Sequence, residues 1–129
     1  MARDKVLIVS EDSAVRDSVS ELVATAGLDA EVIGSMEAWI GFPDPIPRGC
    51  LILDAGVGEL GDPERRKTFA AVCARVPVLV LTERGDVPTA VQAIKLGAVD
   101  VLQKPYRGES LLACVAKVVA GTVERDATV

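Results

Sequence analysis

At 129 residues, with 50% hydrophobic and 26% charged side chains, the chain has the size and composition of one globular domain with a real core, which excludes a disordered segment. The 19 acidic against 14 basic residues give a formal net charge of -5, which excludes the basic stripe that tracks nucleic-acid backbone, so this chain is not expected to bind DNA directly. Cys50, Cys73 and Cys114 form no Cys-x-x-Cys pair, and no histidine is present to join them at a zinc site. They read as small core hydrophobes in a reducing compartment. The N-terminus, Met1-Ala2-Arg3-Asp4, leads into a short apolar run rather than a signal peptide or a membrane span, which points to the cytoplasm.

In chain order, a strand over about 5–10 precedes a helix over 14–26, where Val15, Val19, Leu22, Val23 and Ala26 recur at helical spacing and Gly27 suits the C-terminus. A weaker strand, 30–33, leads to Ser35 as N-cap of a short helix, 36–42. Pro43, Pro45, Pro47 and Gly49 then enforce an extended connection to a strand at 50–54. Asp62-Pro63-Glu64 combines an N-cap, a proline at the first helical position and a first-turn acid, and predicts a helix over 63–75 that stops at Val76-Pro77. Strand 78–82 follows. Asp86 caps a helix with Pro88 in its first turn, Val87, Ala90, Val91 and Ile94 on one face and Gly97 at its end. A strand over 99–102 and a helix over 109–120 complete the domain, 4–120, and the polar stretch 121–129 is expected to fray or to begin a linker.

Five apolar strands alternating with five helices predict a doubly wound α/β fold, a parallel sheet covered on both faces. No internal repeat or second domain is apparent. In such a sheet the carboxyl ends of the strands line one crevice. There the chain gathers Ser10-Glu11-Asp12, Asp54, Thr82 and Lys104-Pro105, that is, an acidic cluster, a carboxylate, a hydroxyl and an ammonium. This set of groups suits phosphoryl chemistry. Each also has a plainer reading: an Asp closing a strand caps turns, a Thr there is a β-branched strand end, a Lys before a turn is a surface charge, and Glu11 and Asp12 are favoured at a helix N-terminus.

Val15-Arg16-Asp17-Ser18, Asp54, Val76-Pro77 through Thr82, Gly85-Asp86-Val87-Pro88, and Gly97-Ala98-Val99-Asp100 leading to Lys104-Pro105 together resemble the receiver domain of two-component response regulators, most closely its FixJ-type branch. The resemblance implies the flavodoxin-like strand order 2-1-3-4-5. It also implies that Asp54 takes a phosphoryl group from a sensor histidine kinase, a phosphotransfer protein or a small phosphodonor, by covalent catalysis. Lys104 would neutralise phosphoryl charge, aimed inward by a cis Lys104-Pro105 peptide, and Thr82 would donate its hydroxyl and draw the following loop inward. Arg84 and Ser10 would lie at the rim. The helix after Asp86 and the last strand form the surface on which members of the family dimerise, and Val87, Val91, Ile94, Val101 and Tyr106 fall there; the apolar helix residues could equally face the core, and Tyr106 could simply pack.

The chain departs from the family pattern at several points. Counted without a gap, the family's two adjacent acids fall on Ser10 and Glu11, so one carboxylate is lost. Glu11, Asp54 and the Gly56 carbonyl are left to hold Mg²⁺, with weakened affinity, and Asp12 joins them only if the strand ends one residue later. Gly58 replaces a proline and Asp62 a glycine, with Gly61 just before it, so the loop after Asp54 is expected to be freer. Val101 replaces an aromatic whose rotation accompanies the threonine. The resulting expectation is a signalling switch with self-phosphorylation at most, not a metabolic enzyme. The alternative is a degenerate pseudo-receiver acting as a phosphorylation-independent interaction domain. A flavodoxin is more distant, since aromatics make up 3% of the chain and no hydroxyl-rich loop follows the first strand.

Overall fold

The computed structural model describes residues 4–41 and 48–127, with 121–127 as backbone. Strands β1 (Lys5–Val9), β2 (Asp29–Val32), β3 (Gly49–Asp54), β4 (Val78–Thr82) and β5 (Asp100–Gln103) alternate with helices α1 (Ser13–Thr25), α2 (Met36–Gly41), α3 (Pro63–Arg75), α4 (Val87–Leu96) and α5 (Gly108–Ala127). All strand pairs are parallel, in the order β2-β1-β3-β4-β5. The expected fold is therefore the observed one.

Strand side chains alternate between two cores, as a period of two requires. Leu7, Val9, Leu51, Leu53, Val78 and Val80 pack with Trp39, Phe69 and Val72 on the side of α2, α3 and α4. Val6, Ile8, Cys50, Ile52, Leu79 and Leu81 pack with Val19, Val23, Leu111 and Val115 on the side of α1 and α5. Asp12, Asp62 and Asp86 cap α1, α3 and α4 through their carboxylates, each taking up a backbone N–H that the first turn leaves without a partner. Gly97, at φ 119, closes α4 in a conformation that favours glycine.

The boundaries differ from expectation in a few places. Ser10 lies beyond β1, β5 starts one residue later than predicted, and Gly49 opens β3 instead of belonging to the connection. Residues 42–47, with Pro43, Pro45 and Pro47, lie outside the described residues. A 3-10 helix at Glu59–Gly61 was not foreseen. Helix α5 continues past 120 to Ala127, because the segment contains no proline and one interior glycine costs only about 1 kcal/mol relative to alanine.

Burial pushes the Cys50 thiol up from 9.0 to about 12. A thiol kept neutral in this way is inert, since the thiolate is the reactive form. Cys50 is therefore expected to resist iodoacetamide at pH 8 in the folded protein and to react on unfolding, as peptide mass mapping would show. The stability gained by burying the neutral thiol is present in full below about pH 9 and is lost as pH rises toward about 12.

Candidate functional site

The parallel register carries the chemistry-bearing residues to one edge of the sheet. Asp54 ends β3 and stands beside Leu81, Thr82 ends β4 beside Gln103, and Ser10 and Lys104 each follow the last residue of a strand. The Lys104-Pro105 peptide is cis, and the Lys104 N–H donates to the Thr82 carbonyl at 2.9 Å.

Asp54 is held from two sides. Lys104 Nζ lies 2.6 Å from Asp54 Oδ1, and Ser10 Oγ donates to Oδ2 at 2.7 Å. The Asp54 side chain is only 10% exposed. Lys104 has a second anionic partner, Glu83 Oε1, at 3.1 Å. Burial pulls the Lys104 pKa down, but hydrogen bonds to Asp54 and Glu83 and their charges outweigh it, and the pKa stands above its usual value. The ammonium is fully charged at neutral pH, and its contribution to stability is lost only as pH rises through that raised pKa.

These residues border an open crevice of about 530 Å³, whose lining includes Glu11, Asp12, Gly56 and Glu59. Position 10 faces Asp54 directly, through the Ser10 hydroxyl. Asp12 borders the crevice while its Oδ1 accepts from Ala14 N at 2.9 Å as the α1 cap. Ser10 was expected at the rim, but it is 8% exposed and touches the central carboxylate. Its small hydroxyl fits beneath the crevice, and Arg16 Nη1 fixes its carbonyl at 2.8 Å. Arg84 is exposed. Thr82 is 2% exposed and lies under the crevice rather than in its lining.

The profile of the response regulator receiver domain matches residues 6–116. The chain belongs to the response-regulator receiver family. It is similar to the response regulator protein TmoT of Ectopseudomonas mendocina, 34% identical over 85% of this chain and 50% of that protein. It is also similar to the transcriptional regulatory protein FixJ of Azorhizobium caulinodans, 36% identical over 85% of this chain and 52% of that one. It thus spans about half the length of the curated relatives it matches. The solved structure of FixJ-N superposes with a TM-score of 0.78 at 28% identity, covering 93% of this chain and 96% of that one. Receiver domains are signalling modules rather than metabolic enzymes, they accept phosphoryl groups, and they generally use Mg²⁺ at the phosphorylation site.

As a receiver, this one ties its β3–α3 loop, which is expected to be freer without its proline, to neighbouring side chains. Gly56 N donates to Glu59 Oε2 at 2.8 Å, Arg65 pairs with both Glu59 and Glu37 of α2, and Gly58 N donates to Asp86 Oδ2 at 3.4 Å. Glu59, Arg65 and Glu83 are site residues that sequence reasoning missed. Loop charges carry no periodic signal, and only the fold shows which ones converge.

The apolar face of α4 points outward, with Val87 64%, Val91 45% and Ile94 50% exposed, while Thr89 and Ala93 face the core. Val101 is partly buried against the core on the α3 side, and Tyr106 packs against the core on the α5 side, where burial raises its phenol pKa. These two are packing residues more than surface. Among the described residues no helix is long and apolar enough to cross a membrane.

Proposed function

We propose that Asp54 is the phosphoacceptor of this receiver, with Lys104 and Thr82 as the groups that stabilise and read the phosphoryl group. The observation that carries this reading is the Asp54 carboxylate, nearly enclosed at the carboxyl edge of the sheet, with one oxygen on an ammonium and the other on a hydroxyl. An Asp54 oxygen attacks the phosphorus of an acyl phosphate, the bond from phosphorus to the donor's oxygen breaks, and the donor leaves as a carboxylate with that electron pair. No net proton is transferred. Lys104 offsets the charge that accumulates on the phosphoryl oxygens, the dominant contribution in phosphoryl transfer. Ser10 orients the nucleophile.

Mg²⁺ fits the donors present, though loosely. Among the described residues no group of three or more acidic, cysteine or histidine side chains is arranged around a single point. Mg²⁺ does not need one, since one or two carboxylates with phosphate and water suffice. Glu11, Asp54 and the Gly56 carbonyl, all bordering the crevice, would hold it. Bound there, the ion would supply charge neutralisation at the phosphoryl oxygens.

The unit we take as the receiver is 4–120, with α5 carrying on through the first part of the tail to Ala127. It acts in the cytoplasm, receives its phosphoryl group from a sensor histidine kinase or phosphotransfer protein, and pairs with a second copy through α4 and β5. The second reading, a phosphorylation-independent interaction domain, is favoured by Ser10 in place of a carboxylate, by Val101 and by Gly58. Intact mass after incubation with several small phosphodonors separates the two. A gain of one phosphoryl group that depends on Mg²⁺ is the expected result, and no gain with any donor at millimolar Mg²⁺ favours the second reading.

A further inference from the structure

We propose that Glu83 is a positioning residue that competes with the phosphoryl group for Lys104, and whose displacement carries phosphorylation to the N-terminus of α4. The proposal rests on Asp54 being the acceptor. Lys104 Nζ is shared between Asp54 Oδ1 at 2.6 Å and Glu83 Oε1 at 3.1 Å, so its charge is already divided before any phosphoryl group arrives. Glu83 borders the crevice with its side chain 42% exposed, held there by Lys104.

Phosphorylation replaces the single charge of the Asp54 carboxylate with a phosphoryl group carrying up to about two, a net gain of about one negative charge facing Glu83. Lys104 follows the stronger anion, and Glu83 then faces like charge without its cation. The backbone behind Glu83 leads straight to α4. Its carbonyl accepts from Asp86 N at 3.1 Å, and Asp86 both caps α4, accepting from Thr89 N at 3.3 Å, and holds Gly58 N of the neighbouring loop at 3.4 Å. Expelling Glu83 therefore strains the turn that sets the α4 N-terminus, next to the exposed Val87 and Val91. Val101 has no ring to rotate, and this charge-driven route needs none.

Glu83→Gln is tested against the wild-type chain with acetyl phosphate and Mg²⁺. The neutral amide removes both the repulsion toward the anionic donor and the competing charge on Lys104, so KM falls about fivefold and the rate at saturating donor rises. On phosphorylation, amide exchange across residues 84–88 speeds up in the wild type and stays unchanged in Glu83→Gln. In Glu83→Asp, which keeps the charge, the acceleration returns. Equal KM and an equal exchange response in wild type and Glu83→Gln, with both phosphorylated, overturn the proposal and leave Asp54 as the acceptor. Absence of phosphate from both proteins overturns the acceptor reading and this proposal with it.

Discussion

Lys104→Ala lowers the initial rate of phosphoryl uptake from a small donor by about two orders of magnitude, while the protein still folds. Removing a single preorganised charge or donor from a site of this kind costs about 10²–10³ in rate. Here the ammonium touches the nucleophile itself, at 2.6 Å. The variant leaves Asp54 with Ser10 as its side-chain partner and with Glu83 no longer offset. The loss of stability at neutral pH is expected to be about 1–3 kcal/mol, the cost of a charged group stripped of a partner. Rates by intact mass and melting curves at pH 7 check both halves.

Ser10→Asp binds Mg²⁺ about tenfold more tightly than the wild type, and without metal it melts several degrees lower. A unit charge 4 Å from the metal has a gross attraction of about 4 kcal/mol per unit of ionic charge at an effective dielectric near 20, and desolvation and repulsion from Asp54 and Glu11 cancel most of it. A residue of about 1.4 kcal/mol is the tenfold gain. In the metal-free protein the substitution replaces a hydroxyl that donates to Asp54 at 2.7 Å with a second carboxylate. The lost hydrogen bond to a charged group, about 1.5–3 kcal/mol, and the like-charge contact both destabilise. Calorimetric titration with Mg²⁺ and melts in EDTA measure the two effects, and equal affinity in the two proteins would remove position 10 from the metal site.

Much of the fold was legible because the signals are local and redundant. Val78 to Leu81 is an uninterrupted apolar run of the kind a doubly covered strand needs, and Asp62-Pro63 and Asp86 mark helix starts by the chemistry of capping. The central triad was legible too, since Asp54, Thr82 and Lys104 each close or follow a strand and parallel register brings strand ends together. What escaped was set by tertiary packing. No periodicity distinguishes the outward face of α4 from its core face, because Val91 and Ile94 are as apolar as the residues that do pack inside. Ser10 read as a missing acid, and only its contact with Asp54 showed a replacement that orients the carboxylate. The Arg65 pairs with Glu59 and Glu37 join three separate segments, and no short window of sequence contains them.

The central claim, that Asp54 is the residue that takes the phosphoryl group, is tested most directly by trapping the acyl phosphate where it forms. The protein is phosphorylated with acetyl phosphate and Mg²⁺ and reduced with borohydride, which converts an aspartyl phosphate to homoserine, and the modified peptide is located by mass. The account predicts homoserine at position 54 in the wild type and none anywhere in Asp54→Asn. Homoserine at another aspartate in the wild type, or undiminished phosphorylation of Asp54→Asn, would contradict it.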